Sequence, residues 1–226
     1  SMFLSFSEMT RILKIFFCRE NILFLLHMPK KILFLIVVSL EGGALLSYEI
    51  MAAKLYTPHV GSTLYVWTSI LTLTLVSLAL AYKTSQYWSD KKDWKILPIC
   101  LLIAGLYLLF ILFTKESVLP LTYTMGIKTA SIFTGVFILS IPVFCMGLTS
   151  PLVTALLSEV KTSQGNTGKN AGLVYGIGTL SGIVFTLLCL FLLLPIVGVS
   201  VTIALLSLML LIAAGISFWL LTYRHD

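Results

Sequence analysis

The sequence predicts an all-α, polytopic membrane protein of about six transmembrane helices. Three observations point there. The chain of 226 residues is 58% hydrophobic and only 11% charged, with a mean hydropathy of +1.04, where a soluble domain carries about 25% charged residues. Apolar runs long enough to cross a bilayer, roughly 20 residues each, recur six times. Lysine and arginine fall on alternate connections between those runs, as topology signals do.

The elements follow in order. Residues 1–30 form a separate segment: Phe6, Met9, Ile12, Leu13, Phe16 and Phe17 fall at helical spacing, with Ser7, Arg11, Lys14 and Arg19 on the other side. That pattern predicts an amphipathic helix lying in the membrane interface. A signal peptide fits less well, because Arg11, Lys14, Arg19 and Glu20 interrupt any apolar core and no small-residue cleavage site follows. Residues 31–226 form the transmembrane domain. Its runs are Ile32 to Tyr56, Ser62 to Tyr82, Ile96 to Thr114, Ile127 to Leu148, Ala171 to Pro195 and Ser200 to Tyr223. Pro151 to Val160 is amphipathic and too short to cross, so it is expected at the surface.

Charge sets the orientation. Arg11, Lys14, Arg19, Lys30, Lys31, Lys83, Lys91, Lys92, Lys95, Lys161, Lys169 and Arg224 fall on one side, and Lys54, Lys115 and Lys128 on the other, a ratio of 12 to 3. The basic side is the cytoplasmic one, which puts both termini in the cytoplasm, as an even number of crossings requires. The expected location is the plasma membrane, in a bacterium the inner membrane. The net charge of +6 flanks apolar runs and forms no polar basic surface, so no nucleic-acid partner is expected. Cys18, Cys100, Cys145 and Cys189 are far apart in apolar surroundings, which reads as packing. No set of side chains stands at metal-ligand spacing, and no cofactor is expected.

The residues with chemical potential lie in the first run and its neighbours. Glu41 and Glu49 interrupt apolar sequence, although a charge at the centre of a membrane helix costs about 2.5–3.5 kcal/mol on insertion scales. Eight residues apart, they stand about 80° from each other around the helix, so one interior face can hold both. Either each is neutralised and serves packing, or they form a site for a cation or proton, with Glu49 the group that couples to protons. Tyr65 and Trp67 follow the first run and Tyr175 and Thr179 share a face of the fifth. These aromatic and hydroxyl groups are candidates to line the same cavity, while an interfacial anchoring role is the alternative for Tyr65 and Trp67. Gly42 and Gly43, and Gly172, Gly176, Gly178 and Gly182, have the small-residue spacing of close helix packing. Pro142, Gly147, Ser150 and Pro151 are expected to bend or break the fourth run.

Taken together these blocks resemble a known family. Gly43-Ala44-Leu45-Leu46-Ser47-Tyr48-Glu49-Ile50-Met51-Ala52-Ala53-Lys54-Leu55, continuing through Pro58, Gly61-Ser62 and Val66-Trp67, is similar to the membrane domain of the membrane-fused spermidine synthases. Pro142 to Pro151 resembles that family's P-x-x-x-x-G-x-x-S-P element. Gly168 through Tyr175, Thr179 and Gly182, then Pro195 and Gly198, resembles its glycine-rich helix and the turn after it. The resemblance implies half of a major-facilitator-like bundle. It places Glu49 on the family's membrane carboxylate, Trp67 on its tryptophan and Tyr175 on its tyrosine. Lys54 stands where arginine is usual, and Tyr82 to Lys92 carries Ser and Gln where the facilitator loop has glycines.

The resembling family joins this domain to a soluble aminopropyltransferase, for which no sequence is present here, so the chain is not expected to be an enzyme. Two functions then compete. One is a transport module for a polyamine or similar small organic cation, working as a homodimer or with a partner membrane subunit because half a facilitator leaves one cavity wall open. The other is a non-transporting anchor or scaffold for a separate spermidine-synthase-like enzyme. For the topology, single cysteines placed at Ser89 and Ser163 in a cysteine-free background are expected to label from the same side of the membrane; labelling from opposite sides would contradict it.

Overall fold

The computed structural model describes residues 30–61, 63–159 and 167–222, so the interfacial helix expected over residues 1–30 lies almost wholly outside the described residues. Every regular element among the described residues is helical: α1 (Lys30–Val60), α2 (Leu64–Asp90), α3 (Ile96–Val118), a 3-10 segment (Leu119–Thr124), α4 (Ile127–Gly135), α5 (Ile141–Gly147), α6 (Thr149–Glu159), α7 (Thr167–Leu188) and α8 (Leu194–Thr222). Two π-helical turns, Val136–Ser140 and Cys189–Leu193, join α4 to α5 and α7 to α8. The fold is all-α and polytopic. Large apolar side chains, such as Leu71 and Leu75 on α2, Phe113 on α3 and Leu180 and Leu187 on α7, point outward, and a bilayer is the solvent that makes this favourable.

Five continuous helical stretches are long and apolar enough to cross a membrane, and the last, Gly168–Thr222, is 55 residues long. At 1.5 Å per residue that is about 80 Å, more than twice the hydrocarbon thickness. The fifth and sixth apolar runs both lie in it. Gly198 divides them, with φ 77° and ψ 175°, a conformation essentially confined to glycine. α7 before the break and α8 after it both pack along α1, so the chain doubles back there. Gly61, with φ +83°, ends α1 in the same manner, and its N–H donates to Thr57 O at 3.1 Å.

Each π-turn has a proline as its cause. Pro142 and Pro195 each stand two residues past the end of a π-turn, where a missing N–H leaves the carbonyl four residues back without its helical donor. For Pro142 that carbonyl is Ile138 O, and the Tyr48 hydroxyl of α1 donates to it at 2.8 Å. Tyr107 of α3 donates to the preceding carbonyl, Phe137 O, also at 2.8 Å.

The sequence reading placed Pro151 to Val160 at the surface, and here the structure corrects it. α6 continues the fourth crossing after a single turn residue at Leu148 and buries Leu152, Val153, Leu156 and Leu157 against the bundle. Pro151 lies in the first turn of α6, where no helical N–H is needed, so it does not stop the helix.

α1 is the axis of the bundle. Leu33, Val37, Val38, Glu41, Ala44, Tyr48, Met51 and Leu55 are buried at three- and four-residue spacing, and α2, α7 and α8 all pack against it. α7 runs parallel to α1 because Gly178 meets Val38 and Gly42 while Gly182 meets Leu46. The approach is set by glycine: a methyl on Gly42 would meet the Gly178 backbone, its Cα and carbonyl carbon both 2.8 Å away. Gly42→Ala is therefore expected to destabilise the protein by about 1–3 kcal/mol, read as a lower melting temperature in detergent. Gly176→Ala, at a position with nothing within 4 Å, should leave the melting temperature unchanged or higher.

Candidate functional site

The glycine crossing of α1 and α7 lies next to Glu41, and this shapes the carboxylate's surroundings. Glu41 is 2% exposed. The Ser150 hydroxyl of α6 donates to its Oε2 at 3.5 Å. Tyr82 of α2 and Tyr175 of α7 lie within electrostatic reach of Glu41, and Tyr82 also of Tyr175. Glu41 thus accepts a hydrogen bond from α6, with one tyrosine each of α2 and α7 in electrostatic reach. Among the described residues, no lysine or arginine forms an ion pair with it.

Glu49 has a different setting. It lies eight residues further along α1, about 12 Å by helical rise, and is only partly buried. Thr74 of α2 lies beside its carboxyl group without closing a full hydrogen bond. The two carboxylates sit on either side of the middle of α1, and each has its own neighbours. The interior face that helical spacing allowed them to share is divided by the packing of α6 and α7 against Glu41 and of α2 against Glu49.

The remaining candidates fall into two groups. Tyr175 joins the Glu41 neighbourhood. Thr179, four residues on, spends its hydroxyl on Tyr175 O of its own helix at 2.8 Å. Tyr65 and Trp67 are exposed near the start of α2, and the Tyr65 ring stands 5.4 Å from Lys128 Nζ, an arrangement suited to a membrane interface. Three residues that sequence reasoning did not assign to a site, Ser150, Tyr82 and Thr74, complete the carboxylate settings. For Thr74 a signal existed: with Ile70, Ser77, Ala81 and Ser85 it makes a buried helical face rich in hydroxyls.

What the arrangement can do follows from its charge. An ionised carboxylate away from water is costly unless a cation or strong donors compensate it. Among the described residues neither carboxylate has a lysine or arginine paired with it, and both have hydroxyls nearby, which stabilise either a proton or a transient cation. Among the described residues no group of three or more His, Cys, Asp or Glu is placed to hold a metal ion. Comparison with protein-family models, curated proteins and solved structures finds no match to this chain.

Tyr48 links the site to the fold, since its neighbour Glu49 is held in place by a helix pinned through the Ile138 bond. Tyr48→Phe leaves that carbonyl without a donor in the interior, so a loss of about 1–3 kcal/mol is expected. It is checked by thermal unfolding in detergent; an unchanged midpoint would show that the π-turn does not depend on Tyr48.

Proposed function

We propose that this chain is a membrane transport module for small organic cations of the polyamine class, with Glu49 as the amine-binding carboxylate. The observation that carries the reading is a carboxylate near the middle of a membrane helix, partly open, beside a hydroxyl and without an ion pair among the described residues. An ammonium group supplies the positive counter-charge to Glu49, and the Thr74 oxygen can accept one of its N–H bonds. The resemblance of the Glu49 block to the membrane-fused spermidine synthases favours the same substrate class. In this reading the module works in the plasma membrane with both termini cytoplasmic, paired with a second copy or a partner subunit that closes its cavity. It assigns no chemical reaction to the chain.

Reconstitution into proteoliposomes tests it. Wild-type protein is expected to exchange labelled spermidine across the membrane. Glu49→Gln keeps the shape and removes the charge. The lost charge-assisted interaction is worth about 1.5–3 kcal/mol, so apparent affinity should fall roughly ten- to a hundredfold while the melting temperature holds. A folded Glu49→Gln protein with unchanged affinity would remove the transport site and leave the anchor or scaffold reading.

A further inference from the structure

The connection between α2 and α3 carries a charged and aromatic cluster far from either carboxylate in its chemistry. Residues 91–95 join two membrane spans, so they stand at the level of the lipid headgroups. Lys83, Lys91, Lys92 and Lys95 are exposed around this connection, and so are Asp90 and Asp93. Four lysines against two aspartates leave the surface cationic where the bilayer presents its phosphates.

Aromatic rings fix part of this surface in place. Trp88 and Trp94 are half-buried and pack against the core. Tyr87 is 52% exposed and meets Trp88 edge to face, with ring centroids 5.5 Å apart. Lys91 Nζ stands 4.3 Å from the centre of the Tyr87 ring, a cation–π contact. The ring restrains a flexible four-carbon stem before any ligand arrives, and the ammonium keeps N–H donors for an anion.

Lys92 points the same way. α2 ends in a turn in which the Lys92 N–H donates to Ser89 O at 3.0 Å and the Asp93 N–H donates to Trp88 O at 3.3 Å. This pair of bonds usually has glycine at its left-handed position. Here that position is Lys92, with φ 56°. Glycine would adopt the same backbone without strain, so a lysine stands there against the local preference of the chain.

We propose that the α2–α3 connection is a binding surface for anionic phospholipid headgroups, in which Lys91 and Lys92 take the phosphate and Tyr87 positions Lys91. Charge and depth select this partner. Trp and Tyr side chains gather at the headgroup level of membrane proteins, and each lysine near an anionic leaflet strengthens attraction about fivefold. In the orientation expected from the lysines, the surface meets the cytoplasmic leaflet, where anionic lipid is found. Nothing in this depends on what Glu49 binds.

The test uses the full chain in maltoside detergent, with thermal unfolding followed by intrinsic fluorescence as phosphatidylglycerol is titrated in. Phosphatidylcholine, which has the phosphate but no net charge, and inorganic phosphate are run beside it. Phosphatidylglycerol is expected to raise the melting temperature saturably, and the other two to leave it unchanged. Lys91→Gln and Lys92→Gly should each weaken the apparent affinity about fivefold. Tyr87→Leu should weaken it too, although it removes no charge. Lys92→Gly is the sharper case: without lipid it should melt higher than the wild type, because the strain is gone, and yet respond less to phosphatidylglycerol. Lys54→Gln, near the α1–α2 connection, should bind as the wild type does. A shift of equal size with phosphatidylcholine or inorganic phosphate, or an affinity that Lys91→Gln and Lys92→Gly leave unchanged, overturns the proposal. So does equal weakening by Lys54→Gln, which would show attraction by net charge alone.

Discussion

The contact between the backbones of α1 and α7 at Gly42 and Gly178 is the constraint on which the rest depends. In a bilayer no hydrophobic force draws helices together, so close packing must supply the attraction, and small residues allow it. Here the closest approach falls one residue from a buried carboxylate. The crossing holds the central helix to its neighbour beside Glu41, which is itself 2% exposed. Stability and chemistry share one geometry at this point.

The other irregularities follow from backbone accounting. Pro142 withdraws a donor from Ile138 O, and membrane interiors offer no water to replace it. Tyr48 replaces it from α1, and so the π-turn in the fourth crossing is tied to the helix that carries Glu41 and Glu49. Gly198 solves a different problem, reversing a 55-residue helical stretch within the bundle. Nothing but glycine adopts that backbone without strain. These features lie around α1, and the ionisable residues on α1 are thereby held between elements that have local reasons to bend.

Much of this was legible in the sequence. Hydropathy and run length depend on composition alone, so the all-α membrane fold could be read directly, as could Glu41 and Glu49, which stand out against apolar neighbours. The turn at Pro195 and Gly198 was also legible, because both residues constrain the backbone locally. Pro151 was misleading: proline breaks a helix in its interior and is harmless in its first turn, and the sequence does not say where the turn begins. Ser150 meets Glu41 across 109 residues of chain, and no local pattern reports such a pairing. The division between a sealed Glu41 and a partly open Glu49 was equally hidden, since both have apolar flanks and only the packing of α6 and α7 distinguishes them.

The central claim is that the partly open carboxylate of Glu49 on α1 binds a small organic cation. The most direct measurement is calorimetric titration of spermidine into the purified wild-type protein and into Glu49→Gln. The account predicts saturable binding to the wild type that weakens roughly ten- to a hundredfold in a folded Glu49→Gln protein. Equal affinity in the two proteins, or no binding to the wild type, would contradict it.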